Sequence, residues 1–404
     1  MRRVVVTGAG TINALGGDWR TFLAGLTDGR SGIGPVTLFD TSDHRCRIAG
    51  EVPRATLPHP ELRHPPTARR LSRSDVFAIH AATEAIREAG LEARELGGAG
   101  LVLGATVGGM LHAEEVAFRH LSAPTARVRP RDVAGFPVWA TAHVLAQELR
   151  LHGPRLTVST ACTSSAIALA LAADMIRTGR CPIVLAGGSD SLCRTTFAGF
   201  NALQALDPEP CRPFDRDRHG LTLGEGAAVL VLEDADHARA RGAAPWAALA
   251  GCGLTTDAYH MTAPRPDGAA AIAAFRTALA ASGTPPNAVD YINAHGTGTP
   301  ANDVVETRII KAVLGAHASH VPISSTKSMI GHCLGSAGAI EALTSVLALR
   351  HDLVPPTLRL AQADPQCDLD YVPGASRHRS LGTVVSNSYG FGGTNSSLVF
   401  ARTT

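Results

Sequence analysis

A thiol, two imidazoles and an ammonium stand out in this chain, each set in a short island of Gly, Ser and Thr. Cys162 lies in VSTACTSS, His295 in NAHGTGTP, and Lys327 and His332 in STKSMIGHCLGSAGAIE. An apolar, β-branched run precedes the first two islands. A strand delivers a side chain to its end in this way, and small residues there let the backbone approach a substrate. Together the groups suit thioester chemistry: a sulfur nucleophile, two imidazoles for proton transfer or hydrogen bonding, and a positive charge. Cys162 is placed where the strand turns into a helix. The helix N-terminal partial charge and free N–H groups there favour a thiolate and stabilise an oxyanion. An isolated Cys is usually a small buried apolar residue, and the other seven (46, 181, 193, 211, 252, 333 and 367) are read that way. The plain alternatives are a loop-structuring imidazole for His295, a backbone-bonded core imidazole for His332 and a surface charge for Lys327. Glu341 falls mid-helix in an apolar stretch and needs a partner; Lys327 is the candidate.

The elements that must position these groups alternate. A strand is predicted over 3–7, a helix over 74–90, a buried strand in LGGAGLVLGATV and a helix over 133–148. LTVST reads as a strand running into a buried helix that stops at Gly179, then PIVLAGGSD as a strand and 220–234 as a hairpin. The second half echoes the first. It has a strand in AAPWAALAGCGLTTD, a strand and loop in DYINAHGT, a buried helix in SAGAIEALTSVLALRHD and a closing hairpin over 382–402. Such alternation predicts an α/β fold with a buried sheet, weakly duplicated, whose halves pack as one body. Two glycine motifs are set aside as phosphate loops. TGAGTIN has Asn13 where a third glycine is needed, and GFGGTN lies in a hairpin.

The chain has 404 residues, 45% apolar and 18% charged, with net charge +2. That gives ordinary globular composition and no global field for nucleic acid or a membrane surface. No run approaches the ~18 apolar residues of a membrane helix. MRRVVVTGAG lacks the apolar core of a secretion signal. Neither CxxC pairs nor zinc-spaced His clusters occur, which predicts no metal, reduced thiols and a cytoplasmic protein.

TACTSS, NAHGTGTP, STKSMIGHCLGSAGA and NSYGFGGTN, in this order, resemble the elongating β-ketoacyl-acyl carrier protein synthases. The similarity runs from VVVTGAG to SLVF. The resemblance implies a thiolase fold: two pseudo-symmetric βαβαβαββ halves in a five-layer αβαβα arrangement, divided as 1–245 and 246–404. It implies that Cys162 takes an acyl chain from a phosphopantetheine thioester, with the Cys162 and Phe391 N–H groups as oxyanion hole. His295 and His332 promote decarboxylation of malonyl-carrier protein, and Lys327 holds His332 in orientation with Glu341 behind it. Thr297 and Thr299 resemble the residues that bond the pantetheine arm. Phe391, with Gly392 and Gly393, resembles a mobile gate. Phe200 and Ala113 belong to the acyl pocket, and Arg69, Arg70, Arg127 and Arg129 to a dock for acyl carrier protein. The implied protein has no cofactor beyond that carried arm, and it dimerises with an identical chain or a chain-length-factor-like subunit.

Rivals of the same fold fit less well. A thiolase needs a second Cys near the C-terminus, a starter-type synthase a His–Asn pair, and a chain-length factor lacks the nucleophile. A cysteine protease leaves the second His and Lys327 unexplained. Ala113 and Gln204 depart from the housekeeping fatty-acid pattern, so a bacterial type II polyketide enzyme is the reading favoured over fatty-acid elongation.

Overall fold

The computed structural model describes residues 2–57, 71–123, 125, 127–129 and 133–403. The N-terminal half is built as β1 (Val4–Asn13), α1 (Arg73–Ala89), β2 (Gly100–Gly104), α2 (Ala140–Leu149), β3 (Arg155–Val158), α3 (Ser164–Arg177), β4 (Ile183–Asp190) and β5 (Gly226–Asp234). The C-terminal half repeats the order with β6 (Ala247–Thr256), α4 (Ala269–Ser282), β7 (Tyr291–Asn293), α5 (Pro300–Leu314), β8 (Ile323–Ser324), α6 (Ala337–His351), β9 (Thr383–Gly390) and β10 (Thr394–Ala401). Each half is therefore βαβαβαββ, with further helices inserted.

Strand order makes the duplication explicit. The sheet runs β8-β7-β9-β10-β6-β1-β5-β4-β2-β3, a sequence that mirrors itself about the β6–β1 contact. In each half the three strands farthest from that contact are parallel to one another and the other two run antiparallel. Only a short antiparallel pairing, Val5 to Ala248 and Val6 to Ala247, joins the two five-stranded sheets.

Five layers follow from where apolar residues go. α1 and α2 cover the outer face of the N-terminal sheet, and α4 and α5 that of the C-terminal sheet. α3 and α6 lie between the sheets within the largest core cluster. Residues 337–349 of α6 are buried all round, as a helix with sheet on both sides must be. Small residues let α3 and α6 cross closely: a Cβ at Gly338 would stand 2.7 Å from the Ala166 Cβ. α1 is delimited by local chemistry. Ser72 and Asp75 form a reciprocal cap, and Gly90 ends the helix at φ 63°.

Three sequence expectations need correction. The first strand does not stop at residue 7 but continues to Asn13. Its glycines serve helix packing: a Cβ at Gly10 would lie 2.2 Å from the Ala81 carbonyl oxygen of α1. The hairpin over 220–234 is one strand, β5. Residues 222–224 instead lie along the His332 loop, where His332 N–H donates to Thr222 O at 2.7 Å and Gly224 N–H to His332 O at 2.9 Å. The helix expected from 133 begins at Ala140.

Candidate active site

The parallel strands of both halves aim their C-terminal ends at one place. Beyond β3 the chain makes a tight turn, and Ala161 adopts φ 52°, a strained value for a residue with a side chain. The Ser/Thr-rich surroundings hold this turn. Ser164 Oγ donates to Ala161 O at 2.6 Å and accepts from Thr160 N–H at 2.9 Å. Thr106 Oγ1 donates to the same Ala161 carbonyl at 3.2 Å. Cys162 is thereby lifted toward the second half. There the Phe391 N–H reaches its sulfur, as does its own N–H, the two groups expected to form an oxyanion hole. Burial pushes the Cys162 thiol up from its ordinary value, and the Phe391 N–H and the Lys327 charge offset only part of that. Burial thus works against the expected thiolate, because it disfavours the charged form.

His295 follows β7. Its N–H and that of Gly296 each donate at 2.8 Å to the Glu306 carboxyl on α5. Glu306 is pushed up to about 7, chiefly by burial against those two hydrogen bonds. Gly296 and Gly298 have φ 40° and 81°, so this loop needs its glycines.

Lys327, almost wholly buried, gives its three protons to three acceptors. They are the Glu341 carboxylate, the His295 carbonyl oxygen at 2.7 Å and His295 Nδ1 at 3.2 Å. The expectation that Lys327 orients His332 is therefore wrong in this geometry. Lys327 sits on the first turn after β8, beside the β7 loop, and reaches His295. His332 is oriented by backbone: the Leu334 N–H donates to its Nδ1 at 3.0 Å.

These bonds fix both tautomers. An ammonium and a backbone N–H can only donate here, so both Nδ1 atoms accept and both Nε2 atoms carry the proton. Burial, then the Lys327 charge, lowers both imidazoles well below their usual value and keeps them neutral. Nε2 of His332 has no partner among the described residues. The rings stand 5.5 Å apart and nearly perpendicular. The sulfur and one nitrogen of each ring lie within 4.8 Å of one another. A thiol and two imidazoles could in principle hold a metal. Nε2 atoms already protonated offer no lone pair, so the tautomers fit hydrogen-bond donation instead.

The cleft over these groups holds about 530 Å³ of empty space, including its mouth. Phe200, Leu221 and Phe391 form an apolar side; Thr297, Thr299 and Asn395 contribute polar groups. Phe391 stacks on Phe200, with centroids 5.6 Å apart and planes at 15°. Gly392 and Gly393 have φ 82° and 76°. The Gly392 N–H donates to Met261 O, and Gly393 O accepts from the Asp257 N–H, each at 2.7 Å. Ala113 is half-buried on the helix Met110–Ser122 and is not among the cleft-lining residues. Arg127 and Arg129 are exposed, while Arg69 and Arg70 lie outside the described residues.

Sequence reasoning missed Glu306, Asp190 and Tyr389. Asp190 ends β4 and accepts the N–H groups of Thr106, Val107, Gly108 and Gly335, so it ties the nucleophile's support to the His332 loop. An acid closing an apolar strand was the available signal. For Glu306 it was an acid on the buried face of the helix after GTGTP.

The beta-ketoacyl synthase N-terminal domain model matches residues 1–238, and the C-terminal domain model matches residues 246–361. The chain is 42% identical to the 3-oxoacyl-[acyl-carrier-protein] synthase 2 of Synechocystis sp., covering 99% of this chain and 98% of that one. It is 43% identical to nodulation protein E of Rhizobium meliloti, covering 99% of each. Among solved structures, the ishigamide ketosynthase/chain length factor superposes with a TM-score of 0.93 at 37% identity, over the whole of both chains. Two catalytic-type halves, one cleft between them and these matches agree: the chain belongs to the beta-ketoacyl synthase family, with its thiolase fold, and is an acyltransferase of the ketosynthase type.

Proposed function

We propose that this protein elongates acyl chains by decarboxylative Claisen condensation on acyl carrier protein. One observation carries the mechanism: two neutral imidazoles, each held as an Nε2–H donor, beside the Cys162 sulfur. The Cys162 sulfur attacks an acyl thioester, and the developing oxyanion is met by the N–H groups of Cys162 and Phe391. The acyl group moves to sulfur, and the thiol proton leaves with the phosphopantetheine thiol. Malonyl-carrier protein then binds with its thioester oxygen toward the Nε2–H groups of His295 and His332. Loss of carbon dioxide leaves an enolate whose charge those donors stabilise. Its carbon attacks the acyl carbonyl, the carbon–sulfur bond to Cys162 breaks, and the released thiolate takes a proton from solvent. Lys327, supported by Glu341, holds His295 as a donor, and burial together with the Lys327 charge keeps both imidazoles neutral. Splitting the reaction replaces one difficult bimolecular step by two positioned ones.

Thr297 and Thr299 line the arm's path. Phe391, Gly392, Gly393 and Phe200 serve as a gate, opened when Cys162 is acylated. The chain divides functionally as 1–245, bearing the nucleophile, and 246–404, bearing the donors. Arg69, Arg70, Arg127 and Arg129 receive the carrier protein. Likeness to a ketosynthase/chain length factor supports a secondary-metabolite polyketide role, and the protein acts in the cytoplasm. The partner is a second subunit of this fold, identical or chain-length-factor-like, which completes the acyl pocket near Ala113. The 3-oxoacyl synthase relative keeps fatty-acid elongation as the second reading. The test is intact mass and carbon dioxide release with acyl- and malonyl-carrier proteins, alone and with a partner subunit. An acyl adduct on Cys162 and release of carbon dioxide are expected; absence of both would overturn the proposal.

A further inference from the structure

Tyr389 is the penultimate residue of β9, just before Gly390 and Phe391. Strand alternation puts it on the face opposite Ser388, whose hydroxyl donates toward Glu341. Its ring packs edge-on against His295, centroids 5.8 Å apart and planes at 72°, and it lines the catalytic cleft. Only 9% of the residue is exposed, yet its hydroxyl has no hydrogen-bond partner among the described residues. Buried tyrosine hydroxyls ordinarily find a partner, and an orphan calls for an explanation.

The neighbouring acids do not supply one. The charges of Glu306 and Asp257 act on the hydroxyl, but both are committed elsewhere. Glu306 accepts from His295 and Gly296 N–H, and Asp257 from the Asn395 side chain and the Arg265 N–H. Burial and those two acids hold the hydroxyl protonated, so it remains a neutral donor beside the path to Cys162.

We infer that the Tyr389 hydroxyl is a substrate-binding group that donates to an amide carbonyl of the incoming pantetheine-type arm, next to the thioester. Other acceptors fit less well. The thioester oxygen is claimed by the two imidazole donors. A malonyl carboxylate on this wall meets Asp257, and a hydrogen bond to it would stabilise the ground state against loss of carbon dioxide. A neutral oxygen about one amide away from sulfur remains. The inference rests on the ketosynthase reading and assigns a residue that reading did not need.

The experiment compares two acyl donors on wild type and Tyr389→Phe. One is an acyl-N-acetylcysteamine thioester, which carries the amide; the other is the S-pentyl thioester of the same acid, which matches its length without the amide. The ratio of their kcat/KM values for acylation of Cys162 should fall about tenfold in the variant, the scale of one hydrogen bond, and the fall should appear in KM. Because the hydroxyl is orphaned in the free protein, Tyr389→Phe should melt no lower than wild type. An unchanged donor ratio, or a clearly lower melting temperature, would overturn the assignment. A wild-type protein that accepts neither donor and also fails to load from acyl-carrier protein would overturn the elongation reading itself.

Discussion

In the N-terminal half, β3 reaches α3 through residues 159–163, and that tight turn carries Cys162. In the C-terminal half the matching connection, β8 to α6, runs through 325–336 and carries Lys327 and His332. The same comparison holds one strand over. Beyond β2, the N–H groups of residues 106–108 converge on Asp190. Beyond β7, those of His295 and Gly296 converge on Glu306. One topology thus supplies two sets of strand ends with a buried carboxyl bracing each. The difference lies in loop length and residue type. The short, strained turn presents a nucleophile; the longer one has room for a helical turn and two donors. Fold places the site, and the loops decide its chemistry.

The largest effect should come from removing the N-terminal half's contribution. Cys162→Ala should abolish acyl loading and condensation while the protein remains folded, because the Ala161 turn is held by Ser164 and Thr106 rather than by the thiol. Intact mass after incubation with an acyl donor reads this. An adduct persisting on the variant, or on another Cys, would sink the assignment.

Removing the C-terminal half's contribution should be milder and different in kind. His295→Ala and His332→Ala should still load acyl groups slowly. Carbon dioxide release from malonyl-carrier protein should fall by ~10²-fold or more, the scale of a lost acid–base or oxyanion group. Lys327→Ala should resemble His295→Ala in its decarboxylation rate, since its ammonium bonds that ring. It also leaves Glu341 buried without its cation, so Lys327→Ala/Glu341→Ala should recover part of the lost stability. If Lys327→Ala spared decarboxylation, the orienting role would fail.

The histidines also predict a pH signature. Both have folded values below the ordinary one, so the unfolded chain takes up protons first. Stability due to their burial is present above ~6.5 and is lost as pH falls below it. Urea unfolding of wild type should therefore weaken from pH 6.5 downward. His332→Gln should remove up to ~1.4 kcal/mol per pH unit from that slope, one proton's worth. Carbon dioxide release should show no loss near pH 6.5, since neither ring charges there. A wild-type acid limb centred at 6.5 that disappears in His332→Gln would contradict the neutral-donor picture.

Much of this was legible in the sequence for an identifiable reason. Cys162, His295, Lys327 and His332 sit in glycine- and hydroxyl-rich islands that few other functions require, and helical or alternating apolar patterns bracket them. The connection from Lys327 to His295 was not legible. It depends on β7 and β8 being neighbours, a tertiary fact with no local signal. The same holds for Gly8 and Gly10, whose spacing suggests a turn until α1 is laid against them. Tyr389 reads as one more apolar strand position; only the geometry shows that its hydroxyl has no partner.

The smallest expected effect tests whether the two halves also divide recognition from chemistry. All four arginines assigned to carrier docking fall within residues 1–245 of the sequence, the part that carries the nucleophile. Carrier proteins are acidic, and attraction between opposite surface charges acts mainly on encounter and is screened by salt. Arg127 and Arg129 are exposed, so reversing them should strain no core packing. Arg127→Glu/Arg129→Glu should raise KM for acyl-carrier protein several-fold at low ionic strength, and the difference from wild type should shrink toward 1 M salt, where the screening length is about 3 Å. Arg69→Glu/Arg70→Glu should behave alike if the dock is continuous. Selectivity for the carrier-bound donor over a small thioester is the decisive readout. Equal losses with both donors would point to a folding defect, and no loss with the carrier would move the dock to another face.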